Sequence, residues 1–271
     1  MATGIINPKF LDQGFAQELS NSYLNAKPCK YLVMEDFFTE ETANTLFENF
    51  PPIQDLNVKR KSLNEEKSED YHFDRWHPTF SLVRDAIGSS EWGEQLCRIT
   101  GIEDLHTTKD ALGSGVHQGK NGSYVDVHID VNMNPKLGLW RRINLLVYLN
   151  KNWLPEYGGD LELWNKDMTE CVVKIPPTFN TAVIFYTDDN SPHGYKKINI
   201  PDGESRKSFY TYYYTKPAEG ITYRDSKFVS RPEDNAARKI ATGVKEILKI
   251  NGKKLLKILG IKNLDFQDKN K

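Results

Sequence analysis

The chain has 271 residues, with 36 Lys and Arg set against 37 Asp and Glu, and hydrophobic residues make up 38% of it. That is enough apolar material for a substantial core, so the chain should fold on its own. A formal net charge of -1 excludes a surface that coats nucleic acid in general, and no nucleic-acid partner is expected.

Taken in order, residues 10–25 mix apolar and polar positions loosely and predict a short helix packed on the body. Tyr31-Leu-Val-Met34 predicts a strand. Thr39 is placed to cap a helix whose stripe of Ala43, Leu46, Phe47 and Phe50 is stopped by Pro51-Pro52. Residues 58–70 are almost all charged or polar and are expected to form a solvated loop or mobile insertion. Residues 78–87 and 92–100 predict two further helices, the first turning Phe80, Val83, Ala86 and Ile87 towards a core.

From about Thr107 the character changes to short β-rich runs between Gly, Pro, Asn and Asp. Strands are predicted at 124–130, 143–149, 160–164, 171–175, 181–186 and 208–214. Without helices between them they predict an antiparallel sandwich, a jelly roll or a related double-stranded β-helix. The Gly158-Gly159 pair is expected to serve a tight turn or bulge rather than phosphate binding, because no helix start follows it. The division expected is 1–106 supporting helices and first strands, 107–216 the β-rich core, and 217–271 a C-terminal extension with Lys-rich amphipathic helices.

In that extension Ile240, Val244, Ile247 and Leu248 recur at helical spacing, followed by Leu255, Leu256, Ile258, Leu259 and Ile261, with Asn251-Gly252 as the expected break between two helices. Docking back on the same domain is preferred to contact with a membrane surface or a partner's groove. Cys29, Cys97 and Cys171 stand far apart with no Cys-x-x-Cys pair, which fits a reducing compartment. No opening signal segment and no run of about 18 apolar residues occurs, so a soluble, cytoplasmic protein is expected.

The residues that ask for chemistry lie between Ser123 and Thr215. By strand alternation Tyr124, Asp126, His128 and Asp130 are expected on one face, and His193 follows the strand at 181–186. Two histidines and one carboxylate meeting on adjacent strands would make the 2-His-1-carboxylate set of non-haem Fe(II) oxygenases. Arg206 opens a run in which Ser208, Tyr210, Tyr212 and Tyr214 share its face. A guanidinium inside a barrel needs an anionic partner, and its planar fork suits a carboxylate, with Ser208 as an added donor. His72, His77, His106 and His117 lack a matching strand-paired carboxylate and are expected to be structural or surface residues.

These residues resemble the iron- and 2-oxoglutarate-dependent dioxygenases, in the prolyl-4-hydroxylase-like branch that includes the hypoxia-factor prolyl hydroxylases. The likeness runs from about Gly113 to Thr215 through His128-Ile-Asp130, Tyr148-Leu-Asn-Lys-Asn-Trp153, Gly158-Gly-Asp-Leu-Glu-Leu-Trp164, Ser191-Pro-His-Gly194 and Arg206-Lys-Ser208. It implies a mainly β fold with flanking helices around a double-stranded β-helix (jelly roll) oxygenase core. It implies Fe(II) on His128, Asp130 and His193, and 2-oxoglutarate anchored by Arg206 and Tyr148, with Lys207 or Arg142 the next candidates for the anchor and Tyr124 a weaker cosubstrate contact. O2 would be consumed, and ascorbate is an optional reductant. The reaction implied is hydroxylation of an unactivated C–H bond, first of a prolyl residue in a protein or peptide. A free amino acid, a saccharide or another small metabolite is the enzymatic alternative, and a jelly-roll binding module the non-catalytic one. The loop 131–141 departs from the family and is expected to help select substrate.

Overall fold

The computed structural model describes residues 2–110 and 112–258. Its first part is a helical layer with one strand, comprising α1 (Gln13–Asn25), β1 (Tyr31–Glu35) and α2 (Glu40–Glu48), then the hairpin β2 (Val58–Lys61) and β3 (Glu65–Asp70), then α3 (Thr79–Ile87) and α4 (Ser90–Thr100). Local chemistry sets several of these limits. The side chains of Asp12, Thr39 and Ser89 accept the first free amides of α1, α2 and α4, and Gly101 ends α4 in the left-handed conformation.

The second part is β4 (Ser114–Gly119), β5 (Tyr124–Ile129), β6 (Met133–Asn134), β7 (Leu139–Tyr148), β8 (Leu161–Trp164), β9 (Cys171–Ile175), β10 (Thr181–Tyr186), β11 (His193–Tyr195), β12 (Arg206–Thr215) and β13 (Lys227–Val229), closed by α5 (Ala236–Ile258). The strands pair antiparallel in the order β1-β10-β7-β12-β4-β3-β5-β11-β8-β9, curling into the jelly roll that the sequence predicts. The outer faces of β4, β7, β10 and β12, with Val116, Leu145, Val147, Ile184 and Phe209, share one apolar core with the N-terminal helices. Tyr148, Val183 and Phe185 meet Leu161, Leu163 and Ile175 across the barrel interior.

Residues 58–70 are not a solvated loop. They form the β2–β3 hairpin, and β3 pairs with β4 through Ser68–Asp70 and with β5 through Glu65 and Glu66, joining the two halves of the curled sheet. The period of two is carried here by charge instead of apolarity: Glu65, Lys67 and Glu69 alternate with Glu66, Ser68 and Asp70. Charges that would repel water-poor surroundings singly are tolerated because they pair, Arg60 Nε donating to Glu69 at 2.7 Å and Lys67 Nζ lying 2.9 Å from Glu69 and 3.5 Å from Glu65.

The expected helix break is also absent, since α5 runs without interruption through Asn251 and Gly252 to Ile258. A single glycine inside a helix costs only about 1 kcal/mol relative to alanine, too little to end it. The second apolar run, at Leu255, Leu256, Ile258, Leu259 and Ile261, lies outside the residues whose side chains are described.

Candidate active site

His128 near the end of β5 and His193 at the start of β11 are direct register partners. Gly194 permits that approach, because a Cβ there would lie 2.7 Å from the Val125 carbonyl oxygen. Asp130 follows β5 immediately and completes a cluster whose potential ligand atoms all lie within 4.8 Å of one another. Each imidazole is oriented by the backbone: His128 Nδ1 lies 3.0 Å from the Asp126 carbonyl oxygen and His193 Nδ1 lies 3.1 Å from that of Ser191. Carbonyls only accept, so both rings carry their proton on Nδ1 and offer a bare Nε2 towards Asp130, at 3.5 and 3.9 Å from its oxygens.

Electrostatics fit the same arrangement. Burial, and then the neighbouring His128, push the His193 imidazole down to about 4, so it is neutral at neutral pH. Burial alone would raise the Asp130 carboxyl, but the neighbouring His128 and His193 rings and the Arg141 guanidinium hold it well below the usual carboxylate range. Two imidazoles and one carboxylate converging here form a donor set suited to Fe(II).

Arg206, at the start of β12, is 3% exposed. Its Nε donates to the Gly159 carbonyl at 2.8 Å, and its guanidinium lies 4.2 Å from the Tyr195 ring centre and 4.9 Å from that of Tyr148. Gly159 has φ +74°, and a Cβ there would meet Ile198 Cγ2 at 2.5 Å, so the glycine pair serves backbone geometry as expected. Among the described residues Arg206 has no ion-pair partner, and Tyr148 Oη and Ser208 Oγ, both buried, have no hydrogen-bond partner. Ser208 and Tyr148 are cross-strand partners. A cation beside two unsatisfied hydroxyls is a cradle for an anion, and the distal carboxylate of 2-oxoglutarate fits it.

Two β-bulges revise the face assignments. Between His193 and Tyr195, two steps along β11 match three along β5, from His128 to Val125. The parity of β5 therefore changes, and Tyr124 and Asp126 leave the face of His128. Tyr124 Oη donates to the Leu63 carbonyl, and Asp126 meets Asn64 and Arg238, so Tyr124 is not a cosubstrate contact. In β7 an extra residue opposite Tyr213 and Tyr214 turns Arg141 inward, where it lies 3.4 Å from Asp130 and 3.6 Å from the Tyr212 ring centre. Arg142 instead reaches Thr215 and Tyr186, and Lys207 the Ser205 carbonyl, so neither joins the site.

Other neighbours were not legible. His117 is no surface residue: it sits in one cross-strand row with Glu69 and Ser208, its Nε2 is buried without a partner, and burial followed by Lys67 holds its ring well below the ordinary imidazole value. Phe228 of β13 stacks on His128 at 5.0 Å, and the Arg224 guanidinium donates to the Asp130 carbonyl at 3.0 Å. The row shared by Glu69 and His117 was the signal, hidden because 58–70 did not read as a strand.

Residues 114–214 match the 2OG-Fe(II) oxygenase superfamily. No curated protein sequence matches the chain. Among solved structures, a Pseudomonas putida prolyl-4-hydroxylase is similar at 14% identity and TM-score 0.51, over 72% of this chain and 98% of its own. A Trichoplax adhaerens prolyl hydroxylase, in complex with a hypoxia inducible factor oxygen degradation domain peptide, is similar at 19% identity and TM-score 0.51, over 76% of this chain and 95% of its own. HygX from Streptomyces hygroscopicus, with nickel, 2-oxoglutarate and hygromycin B bound, is similar at 10% identity and TM-score 0.51, over 76% and 96%. At these identities the likeness is one of fold. The match to the 2OG-Fe(II) oxygenase superfamily thus spans residues 114–214, the stretch that holds the His-Asp-His cluster and Arg206, and the fold is similar to that of prolyl-4-hydroxylases.

Proposed function

We propose that this chain is an Fe(II)- and 2-oxoglutarate-dependent hydroxylase in which His128, Asp130 and His193 hold the iron, while Arg206, Tyr148 and Ser208 hold the far carboxylate of 2-oxoglutarate. The observation that carries this reading is the pairing of a backbone-oriented His-Asp-His cluster with a buried guanidinium that lacks an ionic partner, inside one barrel. Bound there, iron with 2-oxoglutarate and O2 supplies the oxidising power to insert one oxygen into an unactivated C–H bond, with succinate and CO2 as coproducts. The chain's own part is placement. The Nδ1 hydrogen bonds fix both imidazoles, Arg141 and Asn144 hold the Asp130 carboxylate from the far side, and Phe185 and Phe228 pack the two rings on their outer faces.

A prolyl residue in a protein or peptide is the first substrate proposed, supported by the fold shared with prolyl hydroxylases. A small polar metabolite or saccharide is the second reading. One observation favours it: Lys67 and Glu69 extend a charged wall towards His117 and Tyr212, whereas a proline ring asks for an apolar one. A binding module would need neither the oriented imidazoles nor the cluster.

The test is to incubate the iron-loaded protein with 2-oxoglutarate and either prolyl peptides or saccharides, following succinate and the mass gain of one oxygen. His128→Ala, Asp130→Ala, Asp130→Asn and His193→Ala should each abolish both signals and weaken iron binding while the melting temperature changes little. Full turnover in any of them would sink the assignment.

A further inference from the structure

The helix α5 sits on the body with the wrong face for ordinary packing. Helical residues four, seven and eight apart share a stripe, so Ile240, Val244, Ile247 and Leu248 form one apolar row. Such a row normally faces the core. Here these four side chains are 66%, 49%, 58% and 65% exposed, and with Ile250 they account for five of the eleven exposed large apolar side chains among the described residues. The others are scattered over the molecule.

The opposite stripe makes the attachment, and it is polar. Arg238 donates to both Asp126 oxygens at 3.0 and 3.1 Å, Asn64 donates to the buried Thr242 hydroxyl at 3.1 Å, Lys245 Nζ donates to Asn64 at 2.7 Å, and Lys249 reaches the Ser226 carbonyl and Asp225. The helix is therefore held in register by hydrogen bonds and ion pairs while its apolar row points at solvent. An aligned row of this kind marks an interaction surface.

We infer that the exposed row of α5 docks on an anionic lipid surface. Charge argues against a second copy as the cover: from Ala236 to Ile258 the helix carries seven Lys and Arg against Glu246 alone, and with Arg238, Lys245 and Lys249 held by the body and Glu246 engaged by Lys249, a surplus of four Lys is left. Two such helices face to face would repel, whereas phosphate headgroups would neutralise them. Composition argues against a protein groove. The row is wholly aliphatic, without the Trp, Tyr or Arg that dominate protein interfaces. No helix among the described residues is long and apolar enough to cross a membrane, so the geometry is that of a helix lying in the headgroup layer. This surface is independent of the chemistry proposed for the barrel.

The test uses the full chain and sedimentation with vesicles of phosphatidylcholine, alone or with about 30 mol% phosphatidylglycerol. The protein should bind the mixed vesicles at least about tenfold more tightly than the neutral ones, and raising salt from about 0.1 to 0.5 M should remove most of that preference. The triple variant Ile240→Glu, Ile247→Glu, Leu248→Glu should lose at least about tenfold in affinity with an unchanged melting temperature, because all three positions are exposed. Leu82→Glu, on an exposed position of α3, should bind as the parent does. Failure of the parent to bind anionic vesicles would overturn the inference. So would equal binding by the triple variant, or a lipid-free dimer that the triple variant abolishes.

Discussion

At the scale of single residues the proposed cosubstrate anchor makes the sharpest prediction. Arg206 is buried, its Nε donates to a backbone carbonyl, it has no other hydrogen bond among the described residues, and its guanidinium lies beside the rings of Tyr148 and Tyr195. Its two remaining nitrogens are the donors a carboxylate would take in a bidentate grip. Arg206→Ala should weaken 2-oxoglutarate binding by about 30- to 1000-fold, the equivalent of roughly 2–4 kcal/mol, and leave iron affinity nearly unchanged. Separate titrations of metal and cosubstrate decide this; an unaltered 2-oxoglutarate affinity would remove Arg206 from the site. The residues of this anchor and of the His-Asp-His cluster were legible in the sequence because each is a chemically distinctive type in a recognisable order. Arg141 was not. A strict alternation along β7 points Arg142 inward, and only the bulge opposite Tyr213 and Tyr214 exchanges the two.

Strands β4, β6, β11 and β13 were passed over in the sequence, and so was the β2–β3 hairpin, whose stability should be read through protons. Burial would raise the Glu69 carboxyl, but Lys67 and then Arg60 hold it well below the ordinary range. The folded chain thus binds that proton less readily than the unfolded chain does. Its stabilisation is complete above the ordinary carboxylate value of about 4.3, and is lost as pH falls from there through the depressed folded value. Glu69→Gln should cost on the order of 3 kcal/mol at neutral pH and flatten the acid limb of stability below about pH 5, as urea unfolding across a pH series would show. An unchanged acid limb would mean that the carboxylate is not paired in solution. Apolar periodicity found nearly every strand that buries aliphatic side chains on at least one face. It passed over β3 because a strand whose inward positions are Glu, Lys and Glu looks, to any measure of local hydropathy, like a loop. Partners supplied by Arg60 and by the closed barrel make it a strand, and neither is visible in residues 58–70 taken alone.

Across the whole molecule the helical layer and the barrel share one core, and the Tyr213 hydroxyl bridges two helices of that layer to the barrel. Tyr213 on β12 accepts from Trp92 Nε1 of α4 at 2.9 Å and donates to the Ile87 carbonyl at the end of α3 at 3.0 Å. Tyr213→Phe keeps the ring but strands a buried indole N–H, at a cost of about 1–3 kcal/mol. The melting temperature should drop by several degrees in one cooperative transition, at roughly 2–4 °C per kcal/mol for a chain of this size. Two separate transitions in calorimetry would show that the layers unfold independently. The hairpin has a last consequence at this scale. Asn64 in its turn is held by Thr242 and Lys245 of α5, while β3 is bonded to β2 along one edge and to β4 and β5 in succession along the other. Lys67 and Glu69 have therefore surrendered their rotamer entropy during folding, before any substrate arrives. A substrate whose charges complement that fixed pair finds it preorganised. One that does not must break an ion pair to be seated, so this wall of the barrel selects chiefly by rejection.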